Sequence, residues 1–272
     1  MRAFVIWVYV FLYFPIALVV ISSFNSGRNA SEMTGFSTQW YGKALDNQFL
    51  MEALSNSLLI AGISAFLAAA IGTMTALGMA RASKRTRSIL DSLLGAAIVV
   101  PGVVIGIATL VALAQMFAVL NPMLEAIWPG EEPLVLGLGF GSVIAAHTLF
   151  SMALVTMIVK ARLAALGPDL MEASADLYAT PFNTFRLVVL PQIFSAVAAG
   201  FLLALTFSFD DFIVAFFVAG SNTTLPIYVF SSIRRGVTPE VNAVATMVLL
   251  ASIALVSSAQ LLLRERKSSS AQ

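Results

Sequence analysis

The chain has 272 residues, of which 59% are apolar and 11% are charged, whereas soluble domains carry about 45–50% apolar and about 25% charged residues. With a net charge of +1, no long run of lysine and arginine, and no cysteine, the sequence excludes a basic nucleic-acid patch, disulfides, thiol catalysis and Cys-ligated metals. So few charges could not cover the apolar surface of a soluble fold, and the composition therefore predicts an all-α integral membrane protein within a lipid bilayer.

Six windows are long and apolar enough to cross a bilayer, which takes about 20 mostly apolar residues. In chain order they are Ala3–Phe24, Ser57–Ala80, Ile89–Val119, Leu138–Val159, Ile193–Ala219 and Val241–Leu263. We interpret the first as a retained span, because its apolar run exceeds the usual length of a signal-peptide core. Pro101-Gly102 interrupts the third window and Asp210-Asp211 interrupts the fifth, so these two are expected to be the least regular.

The distribution of basic residues orients the predicted spans, because loops on the cytoplasmic side carry an excess of lysine and arginine. With both termini in the cytoplasm, the inner segments hold eleven of the fifteen basic residues. These are Arg2, Arg81, Lys84, Arg85, Arg87, Lys160, Arg162, Arg186, Arg264, Arg266 and Lys267. The sequence therefore predicts that both ends are cytoplasmic.

The remaining segments complete the predicted organisation. The external loop 25–56 mixes polar residues with aromatic and aliphatic ones, which favours a helix lying on the membrane surface. Residues 1–56 are expected to form the first span and this external segment. Residues 57–263 would form a five-helix core with a cytoplasmic loop at 161–192, and residues 264–272 a cytoplasmic tail.

The loop 161–192 is the most informative segment. Gly167-Pro168 predicts a helix stop and a new start, and Thr180-Pro181 predicts an N-cap followed by proline in the first turn. We expect two short helices with a break near 178–180, the second running over Phe182–Leu190 and ending before Pro191. Such a loop either packs on its own membrane domain or is built to bind a partner.

Sequence motifs in this loop carry a family resemblance. Glu172-Ala173-Ser174, followed after a spacer by Leu190-Pro191, resembles the E-A-A-x-x-x-G-(x)n-L-P loop of binding-protein-dependent ABC permeases. Residues 56–59 (NSLL) open the second span as in such permeases. Residues 208–212 (SFDDF) and 236–243 (GVTPEVNA) are similar to the spermidine/putrescine permease branch.

The resemblance implies a type I importer-like permease with six transmembrane helices in the bacterial inner membrane. Its partners would be a cytoplasmic ABC ATPase dimer, a second and different permease chain, and a periplasmic or extracellular substrate-binding protein. ATP and Mg would bind to the ATPase, because this sequence has no G-x-x-x-x-G-K-[ST] phosphate loop. The chain itself would be a non-catalytic subunit without a cofactor. The residues implied in ATPase coupling are Glu172, Ala173, Ser174, Asp176, Tyr178 and Pro191.

Two positions depart from the family motif. Ser174 replaces an alanine, which is a small change, whereas Tyr178 replaces the glycine. Glycine there permits a left-handed backbone that costs free energy for a tyrosine. Either this turn has another shape or the partner ATPase is matched to it.

Asp210 and Asp211 are the most informative polar residues within the predicted spans. A carboxylate at the centre of a membrane helix costs about 2.5–3.5 kcal/mol, and adjacent residues on a helix point about 100° apart. Such groups face a water-filled cavity or a partner and indicate a substrate or ion pathway. The negative charge of the two carboxylates suits a cationic substrate such as a polyamine. With Ser208 they form the predicted substrate pathway. The alternative is a structural pair that is hydrogen-bonded to Ser208, to Thr206 or to a second subunit.

Two further features of the spans carry weaker hypotheses. Pro101-Gly102 removes a backbone donor and predicts either a kink near the translocation path or simple helix packing. His147, the only histidine, has no cysteine and no carboxylate near it in the sequence. We therefore expect it to serve packing or hydrogen bonding rather than metal binding, and we expect no metal site.

Two other function classes compete with an import permease. A secondary transporter or channel would use Asp210 and Asp211 as an ion or proton site, although we find no inverted repeat. A membrane-embedded enzyme would need Ser142 and His147 as its catalytic pair. Five residues apart on one helix, they are offset by about 140°, so their side chains are not expected to meet.

Overall fold

The computed structural model describes residues 2–29, 33–128, 130, 134–167, 169–236 and 238–269. The side chains at 2, 3, 169, 235 and 255–269 lie outside that description. Pro168, Val237, the last tail residues 270–272 and the side chains of the terminal basic residues are therefore among the predicted features that lie outside the described part of the chain.

The regular secondary structure of the described chain is helical, as predicted. Its helices are α1 (Arg2–Ser22), α2 (Gln39–Asp46), α3 (Gln48–Arg81), α4 (Lys84–Val99), α5 (Gly102–Ile127), α6 (Phe140–Ala164), α7 (Asp169–Asp176), α8 (Pro181–Asn183), α9 (Leu190–Asp210), α10 (Ile213–Val218), α11 (Leu225–Arg235) and α12 (Pro239–Ser269). A π-helical turn, Thr184–Val189, joins α8 to α9. No β-strand occurs among the described residues, which contain one isolated bridge between Asn25 and Phe36.

Five stretches of the described helices are long and apolar enough to cross a membrane. They are Phe4–Ser22, Gln48–Arg81, Gly102–Ile127, Phe140–Ala164 and Pro181–Asp210. The sixth predicted span falls on α12, whose described side chains form the shorter apolar helix Pro239–Ala254. The count of six spans therefore stays a prediction.

The third predicted window does not form one helix. α4 ends at Val99 and α5 begins at Gly102, with Val100 extended and Pro101 as the N-cap of α5. Proline restricts the residue before it to extended conformations, so the chain breaks here rather than kinking. The membrane-length helix is Gly102–Ile127 alone, and the prediction of a span over Ile89–Val119 is wrong in its boundaries.

The predicted helix end before Pro191 is also wrong, because the chain stays helical from Pro181 to Asp210. Pro191 has no N–H to donate, and its ring crowds the carbonyl four residues earlier. The π-helical turn Thr184–Val189 lies directly before it, and such wider turns accommodate a local irregularity inside a continuing helix. The fifth span therefore begins earlier than the predicted Ile193.

The chain divides into two compact units, and the first comprises Met1–Glu52 and Tyr228–Gln272. In this unit α12 packs against α1 and α2, and Asn47 Nδ2 donates to Glu240 Oε1 at 2.5 Å. Along α1 most side chains from Phe4 onward are exposed and apolar, which suits a lipid-facing helix. α2 lies within the segment predicted to hold an interfacial helix, and α3 begins at Gln48 rather than at the predicted Ser57.

The second unit, Ala53–Ile227, is organised around α6. α6 packs along α9 and also contacts α4, α5 and α10. One apolar cluster joins α3, α6 and α9 through small and β-branched residues; its buried members include Ala65, Ala68, Ala76, Val155, Val159, Ile193 and Ala204. Small residues let membrane helices approach closely, and a Cβ on Gly72 would lie 2.9 Å from the carbonyl oxygen of Met152.

Gly106 lies at a close contact between α5 and α10, and it gives a stability prediction. A Cβ there would lie 2.6 Å from Cδ2 of Phe217. We expect Gly106→Val to lower the free energy of unfolding by about 1–3 kcal/mol, because overpacking forces side chains and helices apart. Thermal unfolding of the purified protein tests this. Gly78→Val is the matched control, since Gly78 is a helical glycine with open space around it; equal losses in the two variants would contradict the packing argument.

Candidate functional site

A cavity of about 340 Å³ lies in the second unit, between α5, α6 and the end of α9. Its wall is mostly apolar; the apolar lining includes Ile98, Val100, Ile105, Phe150, Phe207 and Val214. Four polar side chains converge on it, namely His147, Ser208, Asp210 and Asp211, with Ser151 beside them. Ligand sites in proteins have this form, an apolar hollow of about 300–1,000 Å³ with a few placed polar groups.

The two aspartates stand at a break in the helix rather than at a helix centre. Asp210 is the last residue of α9, and Asp211 has extended backbone angles, φ −73° and ψ 112°. Helical geometry resumes at Ile213 in α10. The predicted interruption of the fifth window at Asp210-Asp211 is therefore confirmed, whereas the offset of about 100° between adjacent helical residues does not apply to this pair, because the helix ends between them. The irregular backbone at this depth lines a cavity, which is where such breaks are tolerated in membrane proteins.

Asp211 is held by the start of α10. Its Oδ2 accepts hydrogen bonds from the backbone N–H groups of Val214 at 3.1 Å and Ala215 at 3.4 Å. These N–H groups have no partner within the helix and carry its partial positive charge. The carboxylate therefore satisfies the free end of α10 and fixes the direction of the chain after the break.

His147 reaches the same carboxylate from α6. Its Nε2 lies 3.0 Å from Asp211 Oδ2, while its Nδ1 lies 2.7 Å from Ser208 Oγ. The ring N–H direction at Nε2 is not aligned for a hydrogen bond, so this contact is an electrostatic attraction. The side chain is only 4% exposed. The prediction of a hydrogen-bonding role is confirmed, but the expectation that no carboxylate lies nearby is wrong.

Asp210 differs from its neighbour because it has no partner. It makes no hydrogen bond or ion pair with any residue that the structure describes, although it lines the cavity. Asp210 is exposed at the cavity wall, and a carboxylate in an apolar, membrane-spanning setting is costly unless water or a counter-charge reaches it. Such a group can instead take its counter-charge from a ligand, and the sign requires that ligand to be a cation.

The Pro101-Gly102 break lies at this cavity as well. Val100 and Gly102 are part of its wall, so the interruption of the third window shapes the site rather than serving only helix packing. Ser142 lies elsewhere: its Oγ is 2.6 Å from the carbonyl oxygen of Val218. Ser142 and His147 therefore have separate partners, as their spacing predicts. Among the described residues, no group of three histidine or acidic side chains could hold a metal ion.

A second feature, outside the membrane-spanning helices, is the turn after α7. Tyr178 has φ +56°, the N–H of Ala179 donates to Ser174 O at 3.1 Å, and the N–H of Tyr178 donates to Ala175 O at 2.9 Å. This pair of bonds defines a Schellman motif with Tyr178 at the position usually filled by glycine. The turn therefore keeps the backbone shape of a glycine despite the tyrosine. Thr180 then caps the next helix, its Oγ1 accepting from the N–H of Asn183.

The residues implied in ATPase coupling divide between exposed and buried positions. Glu172, Ala173 and Asp176 on α7 are exposed, as is Pro191. Tyr178 is 96% exposed, so its ring contacts almost nothing in this chain. Ser174, by contrast, is buried, and its Oγ lies 2.8 Å from Thr184 Oγ1 in the π-helical turn. The structure thus brings Ser174 inward as a support for the loop and leaves the others on its surface.

Comparison with known proteins gives one family. Residues 68–265 match the family described as "Binding-protein-dependent transport system inner membrane component". The putrescine transport system permease protein PotI of Escherichia coli (strain K12) is 37% identical, over 89% of this chain and 82% of its own length. The spermidine/putrescine transport system permease protein PotC of the same strain is 35% identical, over 95% of this chain and 92% of its own.

A solved structure shares the fold. It is a crystal structure of a bacterial ABC transporter involved in the import of the acidic polysaccharide alginate, with a TM-score of 0.68 and 17% sequence identity. The match covers 93% of this chain and 89% of that one. At this identity the likeness concerns the helical architecture alone.

Proposed function

Because this chain belongs to the family of binding-protein-dependent transport system inner membrane components, we propose that it is the permease subunit of an ATP-driven importer of putrescine and spermidine. The observation that carries the proposal is Asp210, a carboxylate on the wall of an apolar cavity that has no partner among the residues described by the structure. The permeases PotI and PotC, whose names state putrescine and spermidine/putrescine transport, match nearly the whole chain.

The chemistry of the cavity suits a polyamine. A primary ammonium group would be bound by the Asp210 carboxylate through charge-assisted hydrogen bonds, which are stronger than neutral ones. The methylene chain between two ammonium groups would lie against apolar walls such as Ile98 and Phe207. The faces of Phe150 and Phe207, whose ring centroids are 6.0 Å apart, also attract cations. Asp211 and Ser208, the other predicted pathway residues, line the same cavity.

The source of energy lies in a partner. The sequence has no phosphate-binding loop of the G-x-x-x-x-G-K-[ST] type, so we assign ATP and Mg to a cytoplasmic ABC ATPase dimer and no catalysis to this subunit. A second, different permease chain would complete the membrane domain, and a periplasmic or extracellular binding protein would deliver the polyamine.

The ATPase would bind α7 and the turn that follows it. Glu172, Ala173 and Asp176 are exposed there, and Tyr178 projects beyond them. Ser174 would act indirectly, because its contact with Thr184 ties α7 to the π-helical turn that leads into α9. α9 ends at Asp210. Closure of the ATPase on ATP would therefore be transmitted along a continuous helical path, past Pro191, to the cavity.

We also propose six spans with both termini in the cytoplasm. Residues 1–56 would form the first span and an external segment, residues 57–263 the core with its cytoplasmic loop 161–192, and residues 264–272 a cytoplasmic tail. The distribution of basic residues supports this orientation. It places the turn at Tyr178 on the side where the ATPase resides.

Uptake of labelled putrescine and spermidine tests the function. The chain is expressed with its neighbouring transport genes in a bacterial strain lacking polyamine import, with and without cellular ATP. ATP-dependent uptake of either amine is the expected result. If an assembled complex with an active ATPase takes up neither amine, polyamines are excluded as substrates, and the assignment of the chain to the importer class is retained.

A secondary transporter is the second candidate, because the contact between His147 and Asp211 resembles the histidine and carboxylate pairs of proton relays. The two candidates respond differently to inhibitors. Uptake that stops when the proton gradient is collapsed, but persists when ATP is depleted, would favour the secondary transporter.

A further inference from the structure

We propose that His147 is a positioning residue that holds Asp211 on the first turn of α10 and so leaves Asp210 as the single carboxylate presented to the cation. The inference rests on the proposed polyamine transport and assigns different roles to two adjacent aspartates. It follows from how the two carboxylates are partnered rather than from their sequence, in which they are equivalent.

The contacts of the two carboxylates are unequal. Asp211 Oδ2 lies within 3.0–3.4 Å of His147 Nε2 and of the N–H groups of Val214 and Ala215. Asp210 has no polar partner among the described residues. A cation entering the cavity would therefore have to displace two backbone donors and the ring of His147 to bind Asp211, and no described residue to bind Asp210.

The orientation of the ring follows from its partners. Nε2 faces the carboxylate of Asp211, and an ionised carboxylate can only accept. Nδ1 faces the hydroxyl of Ser208 at 2.7 Å, and a hydroxyl can either donate to the ring or accept from it. The ring is thus held from both sides, between α6 and the end of α9, and fixes where α9 stops.

Loss of this contact would change the charge distribution in the cavity. Asp211 would keep the two N–H groups of α10 but lose its contact with α6. Its carboxylate would then be free to turn toward Asp210, and the repulsion between two like charges would move Asp210 from its position at the cavity wall. We expect weaker binding of the cation as the consequence.

Two substitutions of His147 distinguish the contribution of Nε2 from that of Nδ1. The side-chain amide of glutamine reaches near the position of Nε2, and that of asparagine near the position of Nδ1. His147→Gln therefore keeps a polar N–H group facing Asp211, whereas His147→Asn preserves only the contact with Ser208. We expect His147→Asn to raise the KM for putrescine uptake about tenfold, the size expected for loss of one contact with a charged group. His147→Gln should restore uptake to within about threefold of wild type, which is about half of that loss in free energy.

The measurement uses the whole complex in proteoliposomes, with uptake kinetics resolved into KM and kcat. Thr148→Val is the matched control: Thr148 is the next residue of α6, is buried, and has a hydroxyl without a partner among the described residues. It should leave both constants unchanged. The effects of His147→Asn and Asp211→Asn should be non-additive in the double variant, since both break one contact.

The outcomes are distinct. Equal kinetics for His147→Asn and His147→Gln, the reverse order, or additive effects with Asp211→Asn would overturn the inference alone. A wild-type complex that does not transport polyamines would overturn the proposed function and the inference with it. If His147→Asn does not assemble, Asp211→Asn carries the test, because it removes the charge that faces His147 and should raise KM by a similar factor.

Discussion

Asp210→Asn should lower kcat/KM for polyamine uptake about 30-fold, which corresponds to about 2 kcal/mol of lost interaction with a charged group. The carboxylate has no partner among the described residues, so its only counter-charge would be the substrate. Asparagine keeps the size and one acceptor but removes the charge. Stability should not fall, since no internal bond is broken, and thermal unfolding should occur at an equal or higher temperature.

The measurement is initial-rate uptake of putrescine into proteoliposomes, together with thermal unfolding of the same preparation. Asp210→Glu retains the charge and should recover part of the activity. Asp46→Asn, at an exposed aspartate at the end of α2, is the matched control for loss of one negative charge. Wild-type uptake in Asp210→Asn would show that this carboxylate does not attract the substrate.

Tyr178→Gly should stabilise the isolated permease but weaken its binding to the ATPase. In the isolated permease, glycine removes the left-handed strain of the turn, worth about 1 kcal/mol. In the complex, loss of an exposed aromatic anchor should cost about 2 kcal/mol of ATPase binding, a weakening of about 30-fold. The exposed ring does not offset the strain through contacts with the described residues, since it is 96% exposed, and we expect its benefit to come from contact with the ATPase.

Titration of the labelled ATPase against the reconstituted permease gives the affinity, and thermal unfolding gives the stability. Tyr178→Phe keeps the ring and should bind as wild type. Tyr178→Ala keeps the strain without the ring and should weaken binding without stabilising the turn. An unchanged affinity in Tyr178→Gly would place the ATPase contact elsewhere on the loop.

The helical class and most spans follow from the sequence because a bilayer demands long apolar stretches whatever their packing. Each of the five membrane-length helices includes more than half of a predicted window, and the break near Tyr178 and the cap at Thr180 follow from local chemistry. The boundaries at Pro101 and Pro191 were less predictable. A proline removes one hydrogen bond in both cases, but the neighbouring turns decide whether the helix stops or continues.

Sequence alone identified the intramembrane acids, because a charge is conspicuous in an apolar stretch. It treated Asp210 and Asp211 alike and set His147 apart from them, since 63 positions separate His147 from Asp210 in the chain. The helix break and the packing of α6 against α9 bring the histidine to one aspartate only.

The sequence by itself determined that this protein is an integral membrane protein, which family it resembles, and which residue types could bind the substrate. These properties depend on composition and on local motifs, which the chain displays in order. Only the tertiary structure decided which carboxylate has partners among the described residues, which side chain supports the cytoplasmic loop, and which histidine nitrogen faces which partner. Those properties depend on distances between helices that are remote in the chain. A difference of a few ångströms there decides whether a carboxylate contacts a partner within the protein or can bind a ligand.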